Sequence, residues 1–213
     1  MKKYISEFIG TFILVFAGTG AIVINDFSGG AITHPGIAIV FGLVVMAMIY
    51  SLGDLSGAHL NPAVTIAFLS RKEISPRDSL GYIIFQVLGG VSSSFLLKTI
   101  FPENTSLGMT LPSISPGGAF IFEVLLTFIL MFVILHVATG AKEKGFMAGV
   151  AIGGTVCLEA MFAGPVTGAS MNPARSIAPA LAAGDLTHLW IYIIAPVAGA
   201  LLAVAVNSYL KEE

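Results

Sequence analysis

Two decapeptides decide how this chain folds: SGAHLNPAVT at residues 56–65 and TGASMNPARS at residues 167–176. They share Gly, Ala, Asn, Pro and Ala in register, 111 residues apart. A second echo, EFIGTFIL at residues 7–14 and EVLLTFIL at residues 123–130, recurs in the same order at a similar offset of 116. Two echoes in one order mark a duplicated chain.

Each decapeptide also carries a helix start. Proline at the first helical position loses no hydrogen bond, and asparagine just before it is a favoured N-cap. Asn61-Pro62-Ala63 and Asn172-Pro173-Ala174 therefore open helices. The apolar segments that follow, Pro62 to Ser70 and Pro173 to Ala182, are nine or ten residues long, about 14 Å at about 1.5 Å per residue, or half a membrane.

Outward from these turns the chain is strongly apolar: 56% of its 213 residues are hydrophobic and 10% charged, against the roughly 25% charged of a soluble domain. Six runs are long enough to cross a bilayer: Ile5 to Ile24, Pro35 to Leu52, Leu80 to Ile100, Ala119 to Thr139, Phe146 to Phe162 and Leu189 to Tyr209. The expected fold class is an all-α membrane protein with six transmembrane helices and two re-entrant half-helices. Residues 1–213 read as one domain, with repeats at approximately 1–112 and 116–213. Three spans per repeat place the second copy upside down, and inverted repeats gather their site near the midplane, at discontinuous helices. Meeting head to head, the two half-helices make up one span of about 28 Å.

An even number of spans puts both termini on one side. Lys2, Lys3, Arg71, Lys72, Arg77, Lys142, Lys144 and Lys211 share that side, with Lys98 opposite, so the positive-inside rule makes it cytoplasmic and the expected location a plasma membrane. The start, Lys2 and Lys3 before an apolar run, has the look of a secretory signal. Glu7 interrupts the run, however, and its echo at Glu123 marks it as a retained span. Cys157 forms no intrachain disulfide and reads as a small buried residue. The net charge of -2 without a basic cluster gives no sign of a nucleic-acid partner. No Ser/His, paired-Asp or metal-ligand constellation appears at one membrane depth, so neither catalytic residues, metal nor cofactor is expected.

The turns carry a specific chemistry. With its side-chain oxygen on its own helix, each asparagine keeps an NH₂ group to donate. A water that accepts from both through its oxygen turns its hydrogens outward and cannot relay a proton. Both half-helices also aim positive N-terminal ends at this point, which repels cations. Arg175 stands where the first copy has Val64, and an intramembrane charge, costing at least about 2.5 kcal/mol, must face water or a partner. Glu7 and Glu123 suit a bracing role for irregular backbone at membrane depth, and His59 suits the same role near the cytoplasmic half of the pore.

These two loops resemble the signature loops of the aquaporin, or major intrinsic protein, family, and the likeness covers nearly the whole chain. Glu7 and Glu123 match that family's paired buried glutamates; Gln86, Gly89, Pro196 and Gly199 match its third and sixth spans. The resemblance implies a pore in each protomer of a homotetramer in the lipid bilayer, passing water and small neutral solutes. It implies a selectivity filter of Phe41, Ala160, Ala169 and Arg175, with carbonyls of Gly57, Ala58, Gly168 and Ala169 as acceptors. Strict water channels of the family carry His at the position of Ala160; glycerol facilitators carry Trp at that of Phe41 and Asp at that of Ser176. This chain follows neither, and MFAGPVTGASMNPARS at residues 161–176 looks most like the nodulin-26-like branch and its bacterial relatives, implying water, glycerol and neutral metalloid acids. Ser176, Ala180 and Tyr192 lean towards water channels and Ile193 towards facilitators.

Glu159, beside Ala160, matches nothing in these patterns. It either turns towards a neighbouring helix or changes the charge of the filter. An ion-coupled secondary transporter also uses inverted repeats and midplane half-helices, and differs in predicting saturable, coupled uptake.

Overall fold

The computed structural model describes residues 1–138 and 142–211, with the backbone alone over 142–145. Among the described residues eight helices follow in order: α1 Lys2–Phe27, α2 Thr33–Ser56, α3 Pro62–Ser70, α4 Pro76–Ile100, α5 Pro116–Val137, α6 Lys142–Thr167, α7 Pro173–Ala183 and α8 Leu189–Lys211. Six are long and apolar enough to cross a membrane; α3 and α7, at 9 and 11 residues, are not. No strand occurs among the described residues.

The spans overrun the apolar runs of the sequence, because hydrogen bonding continues past the first polar residue. Ser75 and Ser115 cap α4 and α5 just before Pro76 and Pro116, accepting from Asp78 N and Gly118 N. At α6 the helix continues through Pro165 to Thr167, beyond the expected end at Phe162. Of the cations expected on the cytoplasmic side, the side chains of Lys142 and Lys144 lie outside the described residues, as does Thr139, the expected end of the fourth span.

Packing runs both within each half of the chain and between the two. The principal pairs are α1 with α4, α5 with α8, and α2 with α6; α3 packs on α8, and α7 packs on α4. Each half-helix thus leans on the last span of the other half. Close approach depends on glycine at repeat-related positions. A Cβ at Gly89 would run into Phe8 O, and one at Gly199 into Val124 O, so both pairs bring backbone against backbone. Many large apolar side chains, such as Leu80, Ile121 and Leu158, face outward, as they do where the surrounding solvent is hydrocarbon.

Candidate functional site

At the centre of the molecule the two Asn-Pro-Ala turns start α3 and α7. Asn61 accepts from Ala63 N at 2.9 Å; Asn172 accepts from Ala174 N at 3.0 Å and Arg175 N at 3.4 Å. Their amides are less free than capping alone suggests. Asn61 Nδ2 donates to Met171 O at 2.7 Å, and Asn172 Nδ2 donates to Leu60 O at 2.8 Å. One N–H of each asparagine therefore ties its loop to the opposite loop. The second N–H is left for a cavity that both residues line.

The loops that lead into the turns share one unusual backbone. Gly57, Ala58 and Leu60 have φ of 82°, 47° and 52°; Gly168, Ala169 and Met171 have 85°, 41° and 52°. Left-handed backbone at non-glycine residues costs about 1–3 kcal/mol each and needs strong surroundings to hold it. Two glutamates supply the hold. Glu7 accepts from Ser56 Oγ at 2.7 Å, His59 N at 3.0 Å, Leu60 N at 2.7 Å and Gln86 Nε2 at 2.7 Å. Glu123 accepts from Thr167 Oγ1 at 2.7 Å, Ser170 N at 3.0 Å and Met171 N at 2.9 Å. Two tyrosines complete the bracing, Tyr82 donating to Ser56 O and Tyr192 to Thr167 O, each at 2.7 Å. The loop His59 stacks on Phe68 at 4.8 Å, and its Nδ1 pairs with Thr65 Oγ1 at 3.1 Å.

An elongated cavity follows these loops. On α6 it is lined at one-turn steps by Ala148, Ile152, Val156 and Ala160, about 18 Å of helix. Val45, Ile49, Leu130 and Ile134 continue this apolar wall. Opposite stand Gly57 to Asn61 and Ala169 to Asn172. Pro62, Ala63, Pro173 and Ala174 are buried beside the cavity without lining it, and Gly168 also stays off it, packed by Thr110.

Phe41, Ala160, Ala169 and Arg175 all line the cavity. Arg175 is 3% exposed; its guanidinium carbon lies 5.1 Å from the centre of the Phe41 ring, which packs over Gly18. One nitrogen, NH1, donates to Gly108 O at 2.8 Å, while Nε has no partner among the described residues. Ser176 does not line the cavity. Its hydroxyl joins Thr110 at 2.8 Å and Ser170 at 2.6 Å, tying the α4–α5 connection to the second loop. Gly18, Gly108 and Thr110 were not legible in the sequence, since neither their spacing nor residue type sets them apart. Tyr82 and Tyr192 carried a usable signal, an identical residue at corresponding positions of both halves. Glu159 is buried off the cavity, so it belongs with the neighbouring helices and not with the passage wall.

The family model described as Major intrinsic protein matches residues 1–207. Aquaporin NIP3-1 of Arabidopsis thaliana is 48% identical over 209 residues, covering 94% of this chain; the match spans 65% of that protein's length. Nodulin-26 of Glycine max is 43% identical over 212 residues, covering 99% of this chain and 78% of its own. The X-ray structure of the aquaglyceroporin from Plasmodium falciparum superposes with a TM-score of 0.86 at 28% identity, covering 99% of this chain and 96% of that one.

Proposed function

This chain belongs to the major intrinsic protein family, and from that membership we propose that it is a passive transmembrane channel for water and small uncharged solutes, among them glycerol and neutral metalloid acids. It is a multi-pass membrane protein whose whole length forms one channel domain of two inverted repeats. The observation that carries the solute range is the cavity wall beside Arg175. Where a bulky polar ring would narrow the opening, Ala160 and Ala169 contribute one methyl each. That leaves room for a carbon skeleton against the apolar wall while hydroxyls meet the loop on the other side.

Within this reading, Asn61 and Asn172 orient the passing molecule, each through the one N–H not spent on the opposite loop. Carbonyls of Gly57, Ala58 and Ala169 accept from its hydrogens. Phe41, Ala160, Ala169 and Arg175 form the filter, and Arg175 together with the two helix N-termini repels cations. Glu7, Glu123, His59 and Gly168 brace the loops. The assembly is a homotetramer in a plasma membrane, with both termini cytoplasmic, as the distribution of Lys2, Lys3, Arg71, Lys72 and Arg77 supports. The chain works as a channel and not as an enzyme.

Stopped-flow light scattering of vesicles holding the purified protein tests this reading under gradients of water, glycerol, urea and boric acid. Fast, non-saturating flow of water and glycerol without ion current is expected. Water flow without glycerol flow would overturn the wide filter, and saturable ion-coupled uptake would overturn the channel.

A further inference from the structure

A proline inside a helix has no N–H to give to the carbonyl four positions back. In α6 that proline is Pro165, and the carbonyl it leaves without a helical donor is Met161 O. Met161 directly follows Ala160, so the gap opens where α6 meets the passage. A side chain from another helix fills it. His34 Nε2, in the first turn of α2, lies 2.8 Å from Met161 O. A carbonyl oxygen only accepts, so Nε2 carries the hydrogen and donates. Gly164, just before the proline, makes room for the ring: a Cβ there would come within 2.6 Å of His34 Cε1.

A second clamp holds the same two helices further along. A Cβ at Gly42 would lie 2.6 Å from Gly153 O, and one at Gly153 would lie 2.6 Å from Gly42 O, so α2 and α6 touch backbone to backbone there. Phe41 falls between His34 and Gly42 along α2, and Ala160 between Gly153 and Met161 along α6. The helices that carry these two lining residues are thus pinned on both sides of them.

We propose that His34 is a positioning residue that sets the width of the filter. Its ring supplies the donor that Pro165 withholds, and so fixes α6, with Ala160, against α2, with Phe41. Breaks in a helix at membrane depth are tolerated where a neighbouring helix satisfies the freed carbonyl, and here His34 is that neighbour. Without it, the end of α6 is free to bend at the proline and the opening no longer holds one width. The opposite end of the helix pair shows what the proline changes. Tyr50 Oη donates to Phe146 O at 3.0 Å, with Gly149 making room for its ring. Four residues after Phe146 stands Val150, whose N–H serves the same carbonyl within the helix, so this second tie is redundant.

The link to solute selection rests on the channel reading above; the bond and its dependence on Pro165 do not. Two measurements test the proposal on the native chain and on His34→Gln, His34→Asn and His34→Leu: the glycerol-to-water permeability ratio in vesicles, and Tm. Glutamine sets its amide nitrogen as many bonds from the backbone as Nε2 and should keep both values near native. Asparagine falls one bond short and leucine has no donor, so each should raise the ratio several-fold and lower Tm by a few degrees. Pro165→Ala returns the helical N–H, and in that background His34→Leu should change neither value, a coupling that only a shared acceptor produces. Tyr50→Phe should keep the native ratio. A native ratio in His34→Leu, or a glutamine variant as altered as the leucine variant, would overturn the proposal. So would an equal effect of His34→Leu with and without Pro165, or a shift in Tyr50→Phe as large as in His34→Leu. If the leucine variant fails to fold, the contrast between glutamine and asparagine decides. A native protein that passes no solute, but whose melts show the coupling to Pro165, would sink the channel reading and leave the tie between the helices standing.

Discussion

Replacing Glu123 by leucine or by glutamine separates the two things its carboxyl does, filling space and accepting hydrogen bonds. In the native chain three donors depend on it: Thr167 Oγ1 and Ser170 N on one oxygen, Met171 N on the other. Leucine orphans all three at membrane depth. At about 1–3 kcal/mol for each buried donor left without an acceptor, the cost is roughly 3–9 kcal/mol. Glutamine can place its carbonyl where two donors converge and leaves only Met171 N unpaired, at about 1–3 kcal/mol. Folded proteins hold a margin of about 5–15 kcal/mol in total, so the leucine variant stands at the edge of stability and the glutamine variant does not. Cys157, the only cysteine of the 213 residues, is half-buried rather than buried where it meets Gly42 between α2 and α6, so the faster reaction of its thiol with a fluorogenic dye reports unfolding. For a chain of this size, about 2–4 °C of Tm is lost per kcal/mol. The glutamine variant should melt clearly below the native protein and the leucine variant well below both. A leucine variant as stable as the glutamine variant would refute the claim that the carboxylate is held for its acceptors.

Ala160→His should narrow the filter and cut glycerol flow more than water flow in the vesicle assay; an unchanged ratio would remove Ala160 from the filter. Gly199→Ala sets a methyl against Val124 O and costs about 1–3 kcal/mol through overpacking. Gly154→Ala, with nothing within 4 Å, is its neutral control in a thermal melt. Thr110→Val removes the hydroxyl that meets Ser176 and should cost about 0.5–1.5 kcal/mol by the same measurement. Arg175→Val should raise cation leak across vesicles, read with an ion-sensitive dye; a leak no greater than native would show that the helix ends alone exclude cations.

The half-helices were legible because their boundaries are written in local chemistry. Asn61-Pro62 and Asn172-Pro173 are cap and first turn, and α3 ends at Ser70 as its apolar run does. Outer ends of the long spans were less legible, since hydropathy falls at residues such as Ser75 and Ser115 where the helix has only begun. Contacts between distant loops left almost no trace. Nothing in the residue type of Leu60, Met171 or Gly108 announces that its carbonyl will receive Asn172, Asn61 or Arg175, because any residue offers a carbonyl. Glu159 stood out in the sequence by its chemistry, yet its direction depended on how α5 and α6 meet. Depth in the bilayer follows from composition, whereas facing follows from tertiary packing.

The crossed amide bonds between the loops also set an order of events in biosynthesis. Asn61 must wait for Met171, and Leu60 for Asn172, partners 110 and 112 residues further along the chain. Closing so long a separation becomes possible only once α7 has left the ribosome and turned back into the bilayer. The first three spans can be inserted and threaded long before then, each satisfied by its own helical backbone. A nascent chain halted before residue 171 would thus lack the sixth span, α8, as well as a finished centre, and conduction would begin as the last quarter of the chain arrives.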